Sequence, residues 1–163
     1  MADLEIRAAD ADDVPAIVAM LADDPLGAER ESPDDLTPYL DALERLRHDP
    51  NQHLVVAVRD GQVVGTLQLT VIPGLSRKGA TRSVIEAVRI HADERGSGLG
   101  TELIEWAVAE SRRQDCRLVQ LTSDAPAPTP TASTSGWVSR PPTSVSSSRC
   151  DPLASTARGA CFT

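Results

Sequence analysis

Arg95, Gly96, Ser97, Gly98, Leu99 and Gly100 make a glycine-rich turn between an apolar run ending at Ile90 and an amphipathic run starting near Leu99. A residue without Cβ lets an anion touch successive backbone N–H groups and takes positive φ at little cost. Such a turn opening a helix is an anion cradle suited to a pyrophosphate-bearing cofactor, and Arg95 sets a fixed positive charge beside it. Spacing separates the candidate phosphate motifs. A Walker loop needs Gly, four residues and then Gly-Lys-Ser/Thr, and no Lys follows Gly100. The dinucleotide fingerprint Gly-x-Gly-x-x-Gly misses by one residue, because Gly96, Gly98 and Gly100 are evenly spaced and Thr101 follows. A third pattern, Arg/Gln-x-x-Gly-x-Gly/Ala, is met by Arg95, Gly98 and Gly100.

The elements that must position this turn follow from hydrophobic periodicity. Residues 4–7 read as a first strand, and Asp10 or Asp12 caps a helix with Val14, Ile17, Val18 and Leu21 on one face. Residues 34–48 carry Leu36, Leu40, Leu43 and Leu46 at helical spacing, and Asp49-Pro50 ends that helix. Residues 53–59 and 63–72 read as antiparallel strands joined by the Asp60-Gly61 turn. A strand over 83–91, a helix over 97–113 with Leu99, Leu103, Ile104, Trp106 and Ala107 inward, and a strand over 117–122 complete the order β-α-α-β-β-β-α-β.

With 163 residues, 40% of them hydrophobic, the chain suits one core. The first residues lack a basic segment followed by an apolar one, and no apolar run reaches spanning length, so a cytoplasmic location is expected. Cys116, Cys150 and Cys161 form no Cys-x-x-Cys pair and are odd in number, which predicts free thiols and no metal site. A net charge of −8 argues against nucleic acid and anionic membrane as partners and leaves a cationic acceptor open.

Together with Ile85-Glu86-Ala87-Val88-Arg89-Ile90, the Arg95/Gly98/Gly100 pattern resembles the acetyl-CoA motif of the GNAT superfamily of N-acetyltransferases, a resemblance that covers residues 4–124. It implies an α/β (α+β) acyl-CoA N-acyltransferase fold: a mixed, mostly antiparallel sheet flanked by helices, with the family's C-terminal helix and strands missing here. It also implies direct transfer of an acetyl group from acetyl-CoA, the cosubstrate, to an amine of a small molecule or peptide. In such a transfer a base takes the ammonium proton and an acid reprotonates the leaving thiolate. Backbone groups of Val88, Arg89 and Ile90 would bond the pantetheine amides where the sheet opens. Arg95 and the amides of Gly96, Ser97, Gly98, Leu99, Gly100 and Thr101 would hold the pyrophosphate.

Glu86 is the candidate base. Period two places it on the face of Val88 and Ile90, where a buried carboxylate could be tuned toward neutrality; the competing reading pairs it with Arg82, Arg89 or a neighbouring strand. His91 reads as a polar strand end or a CoA contact, and His48 and His53 as solvated residues flanking a loop. Asp23 and Asp24 read as a helix-ending acidic turn or as acids that attract a cationic amine. The family's usual acid is a Tyr on the helix after the last of these strands. Tyr39, the one tyrosine, lies on an early helix and is read as packing or acceptor-loop surface. A non-catalytic CoA-binding or defunct remnant is therefore the alternative function. The acceptor and a homodimer are left open.

After Asp124 the composition changes. Residues 125–163 hold six of the 12 prolines, fourteen Ser or Thr, and three arginines against one aspartate. Such composition ordinarily means a disordered tail. The codons of residues 128–139 permit a second interpretation. Read from the last base of Pro128 with allowed third bases, they spell DAHRFYERLGF, the type of helix the family carries at this point. Its glycine codon is forced, because Trp137 has only TGG and every codon for Val138 begins GT. Further on, the same frame allows His from Thr143, Gly from Val145, Phe from Ser146 and Lys from Ser147. The tail is accordingly read as a frameshift product beginning between residues 121 and 129. That reading leaves residues 117–122 as an exposed sheet edge.

Overall fold

The computed structural model describes residues 4–23, 25–124 and 143–149. The described strands are β1 (Leu4–Ala8), β2 (Gln52–Arg59), β3 (Gln62–Ile72), β4 (Thr81–Ile90), β5 (Cys116–Asp124) and β6 (Thr143–Arg149). They form one sheet in sequence order, antiparallel throughout except where β4 and β5 run parallel. The helices are α1 (Val14–Ala22), α2 (Pro25–Arg30), α3 (Thr37–His48), the single turn α4 (Ser76–Gly79) and α5 (Leu99–Arg113). In α4, Arg77 and Lys78 take positive φ, so this turn is left-handed.

Each face of the sheet buries a helix layer. Val55, Ala57, Leu67, Leu69, Ile85 and Val119 pack with Leu99, Leu103 and Ala107 of α5. Complete burial of each such leucine contributes roughly 2–3 kcal/mol. Ser111 Oγ donates to Ala107 O at 2.7 Å and lies 2.8 Å from Ser83 Oγ, so a fully satisfied polar pair ties α5 to β4 inside that core. On the other face Ile17 of α1 packs with Val56 and Val58, and Val14, Val18 and Leu43 join α1 to α3.

The predicted strands and the three longer helices are present, with shifted ends. Asp10 accepts from the Asp12 N–H and opens a 3₁₀ turn before α1. Helix α3 starts at Thr37, later than expected, where Asp35 Oδ1 accepts the Thr37 N–H. Leu40, at helical spacing with Leu36, Leu43 and Leu46, is exposed. Helix α2 was not expected: six residues are too few to show periodicity, and its proline stands first, where a missing N–H costs nothing. Asp60 and Gly61 both take positive φ, as a tight hairpin turn requires.

Two expectations are corrected. The β5 edge is not left open, because Thr143–Arg149 pair antiparallel along it; main-chain bonding satisfies an edge whatever the side chains. Residues 125–142 and 150–163, on which the rest of the tail reading falls, lie outside the described residues. His53 is not a solvated loop residue either. It lies in β2 opposite Leu69, two positions before Val55, and its Nε2 is buried without a hydrogen-bond partner among the described residues.

Candidate active site

Strand β4 carries the irregularity on which the site depends. Thr66 pairs with Arg89 and Gln68 with Glu86, so Ala87 and Val88 together oppose Leu67 in a β-bulge, and Ala87 takes φ +50°. Pairing of β4 with β5 ends at Ile85 opposite Leu121. The two parallel strands therefore part at Glu86, and the backbone of Val88, Arg89 and Ile90 lies beyond the last β5 partner.

The bulge also resets the strand's alternation. Ser83 and Ile85 point to the α5 side, and Val88 and Ile90 pack against the same core. Glu86 thus lies on the opposite face from Val88 and Ile90, not on theirs as period two implied. It is exposed and shares the α1/α3 face with its cross-strand partner Gln68. Among the described residues the Glu86 side chain makes no ion pair or hydrogen bond, so its pairings with Arg82 or Arg89 are not formed. Arg89 Nη1 instead donates to Val88 O at 3.0 Å.

Past Ile90 the chain turns toward α5. His91 N donates to Val64 O, and Asp93 N donates to His91 Nδ1 at 3.4 Å, so His91 caps the short turn Ala92–Glu94. An ion pair between Glu94 and Arg59 ties this turn to the end of β2. Gly96 and Gly98 take φ +84° and +93°, conformations that any side chain would strain, and the space over both is open. Ser97 Oγ accepts the Leu99 N–H at 3.3 Å, and Gly98 O accepts from Thr101 and Glu102. The N–H groups of Gly96, Gly98 and Gly100 bond to none of the described residues. They are the unsatisfied donors of a helix start, and the positive end of the α5 dipole lies behind them. Arg95 reaches the other way, its Nη2 2.5 Å from Asp23 Oδ2, with both side chains about half exposed.

On the α1/α3 face a half-open cavity of about 150 Å³ is bounded by α1, α3, β2, β3 and the bulge at Ala87. The sequence did not reveal it, since it depends on how two helices sit over the sheet. Tyr39 lines it, but the hydroxyl is committed: it donates to Glu31 Oε2 at 2.7 Å and accepts the Ser32 N–H at 2.8 Å. The Ser32 bond favours the phenolate, yet the Glu31 carboxylate and burial outweigh it and hold the pKa above 10.0. Asp13, at the start of α1, is clamped by both terminal nitrogens of Arg7 at 2.6 and 2.9 Å, which keeps its carboxyl below 3.8 despite burial.

No group of His, Cys, Asp and Glu able to hold a metal occurs among the described residues, and none of their helices is long and apolar enough to cross a membrane. The chain is similar to an aminoalkylphosphonate N-acetyltransferase of Salmonella typhimurium, 32% identical over 76 residues, which are 47% of this chain and 49% of that protein. It thus spans about half the length of this curated relative. Among solved structures, one of a transcriptional regulator from Bacillus halodurans C-125 superposes with a TM-score of 0.72 at 39% identity, covering 75% of this chain and 83% of that one. A predicted acetyltransferase from Clostridium acetobutylicum, solved with acetyl-CoA, shares the fold with a TM-score of 0.57 at 19% identity, over 73% of this chain and 80% of its own. The profile of the acetyltransferase (GNAT) family matches residues 14–128. With the parted β4 and β5 and the glycine turn at the start of α5, the chain belongs to the GNAT family of acetyltransferases.

Proposed function

We propose that this chain binds acetyl-CoA between β4 and β5 and transfers the acetyl group to a primary amine, with Glu86 as the base. The observation that carries this reading is the position of Glu86: an unpartnered carboxylate where the two strands part, on the same β4 segment that leads into the glycine turn. The pyrophosphate would take the N–H groups of Gly96, Gly98 and Gly100, as well as those of Ser97, Leu99 and Thr101 where their bonds can be shared. Arg95 would exchange Asp23 for the phosphate, and the free edge of Val88, Arg89 and Ile90 would hold the pantetheine. Glu86 takes a proton from the ammonium, the amine nitrogen attacks the thioester carbonyl, and the C–S bond breaks as the nitrogen gives up its second proton to solvent, leaving the amide and the CoA thiolate. The thiolate is then protonated from solvent, since Tyr39 keeps its hydroxyl on Glu31. The acetyl-CoA bound by the Clostridium relative supports the cosubstrate, and the Salmonella relative supports an amine acceptor.

The test is calorimetric binding of acetyl-CoA to the full chain, followed by thiol release with amines. Glu86→Gln should lower kcat by about 10²–10⁴-fold, the usual range for a lost general base, with the Kd for acetyl-CoA unchanged. An unchanged kcat removes Glu86 from the mechanism. A second reading, a CoA-binding protein without turnover, is favoured by the engaged Tyr39 hydroxyl; binding without thiol release from any amine would establish it.

The same proposal extends to the tail as the frameshifted form of the family's last helix and strands. The nucleotide sequence across codons 115–150, with the intact mass of the protein, decides it. Third bases incompatible with DAHRFYERLGF would sink it.

A further inference from the structure

We propose that the acceptor is a primary amine bearing a compact apolar group about the size of a benzene ring, its ring in the α1/α3 cavity and its ammonium between Glu86 and Gln68. This deepens the acetyltransferase reading and rests on it.

Volume sets the size. The cavity measures about 150 Å³, and apolar cavities of roughly that volume inside proteins stay dry and take up benzene. Its wall is made by Val18, Leu21, Leu43, Leu46 and Leu54. Of the polar groups on that wall, Thr66 Oγ1 is spent on Val55 O at 2.9 Å and the Tyr39 hydroxyl on Glu31. With both hydroxyl protons committed, these groups offer no donor to a carbonyl, a carboxylate or a phosphonate. Among the described residues no Lys, Arg or His lines it, so a phosphonate or carboxylate there would be buried without a counter-charge from them.

Polarity returns at one end only. Gln68 Nε2 donates to Gln52 Oε1 at 3.0 Å, and Gln68 Oε1 accepts no hydrogen bond from the described residues. Its cross-strand partner is Glu86, and Ala87, the next residue, lines the cavity. An ammonium, which carries only donors, finds there a carbonyl and a carboxylate, both acceptors. Alternation from Ile85 puts Glu86 on this face, and the bulge at Ala87 returns Val88 and Ile90 to the α5 side, so the proposed base and the apolar wall meet at one rim.

The experiment uses the full chain with acetyl-CoA and two probes, 2-phenylethylamine and aminomethylphosphonate. The expected result is a kcat/KM for 2-phenylethylamine at least about tenfold above that for the phosphonate. In methyl NMR, 2-phenylethylamine should shift Val18, Leu43 and Leu54 while the phosphonate leaves them still. Ala42→Leu, which fills the cavity from a helical position, should cut turnover of 2-phenylethylamine about tenfold with acetyl-CoA binding retained as the check on folding. Equal or preferred use of the phosphonate, silent methyls, or an unaffected A42L overturns the proposal. If acetyl-CoA fails to bind while 2-phenylethylamine still shifts the three methyls, the transferase reading falls and the cavity assignment stands. If acetyl-CoA binds and the methyls stay silent, the reverse holds.

Discussion

Asp13 shows what a single buried charge does for this fold. Its side chain is 5% exposed and depends on Arg7, whose guanidinium holds the carboxyl ionised below its ordinary 3.8. A depressed carboxylate pKa contributes stability above the unfolded value and loses it as pH falls through the folded one. Arg7→Ala should therefore cost on the order of 2 kcal/mol at pH 7, the scale of a buried acceptor left unsatisfied. The gap between variant and wild type should close as the pH drops below 3.8, which urea unfolding at stepped pH would measure. A gap independent of pH would mean that Arg7 acts through packing alone. Glu86 stands at the opposite extreme: it is exposed and unpartnered among the described residues, so its substitution is expected to change turnover and leave folding intact.

At the scale of elements, the bulge in β4 does more than any helix to define the site. It holds Ala87 at φ +50°, returns Val88 and Ile90 to the α5 face while Glu86 keeps the α1/α3 face, and coincides with the end of β4–β5 pairing. A β-branched residue tolerates positive φ poorly, so Ala87→Val should destabilise by about 1–2 kcal/mol and weaken acetyl-CoA binding. Ala87→Gly, which accepts that conformation freely, should remain within about 1 kcal/mol of wild type. Equal effects of the two variants in denaturant unfolding would show that backbone conformation is not what position 87 constrains. Gly65 has the complementary role in β3. A Cβ there would stand 3.0 Å from Leu103 Cδ1 and 3.2 Å from Ile90 Cδ1, so its absence lets α5 and the end of β4 close over the sheet.

For the molecule as a whole, a net charge of −8 attracts cations and repels anions, the proposed acetyl-CoA among them. The Gly96/Gly98/Gly100 amides and Arg95 would oppose that repulsion locally, whereas a cationic acceptor gains from the global field. Raising NaCl from about 20 to about 500 mM should increase KM for 2-phenylethylamine several-fold and leave its kcat unchanged. Initial rates at saturating acetyl-CoA would check this. A KM indifferent to salt would confine recognition to the cavity and its rim.

Local rules made much of this chain legible. Alternation and helical spacing are imposed by the backbone, so the strands, the Asp60-Gly61 hairpin and the inward stripe Leu99, Leu103 and Ala107 could be read without a structure. The glycine turn was legible for the same reason, since Gly96 and Gly98 are demanded by positive φ at those positions. Period two failed at Ala87, because a bulge is a mismatch between two strands and has no signature on one of them. Partnerships between distant residues were equally hidden: Asp23 with Arg95, Glu31 with Tyr39, and Thr143–Arg149 along β5. The cavity that bears on acceptor choice arises where α1 and α3 cross the sheet, and only tertiary packing could decide how much space they leave.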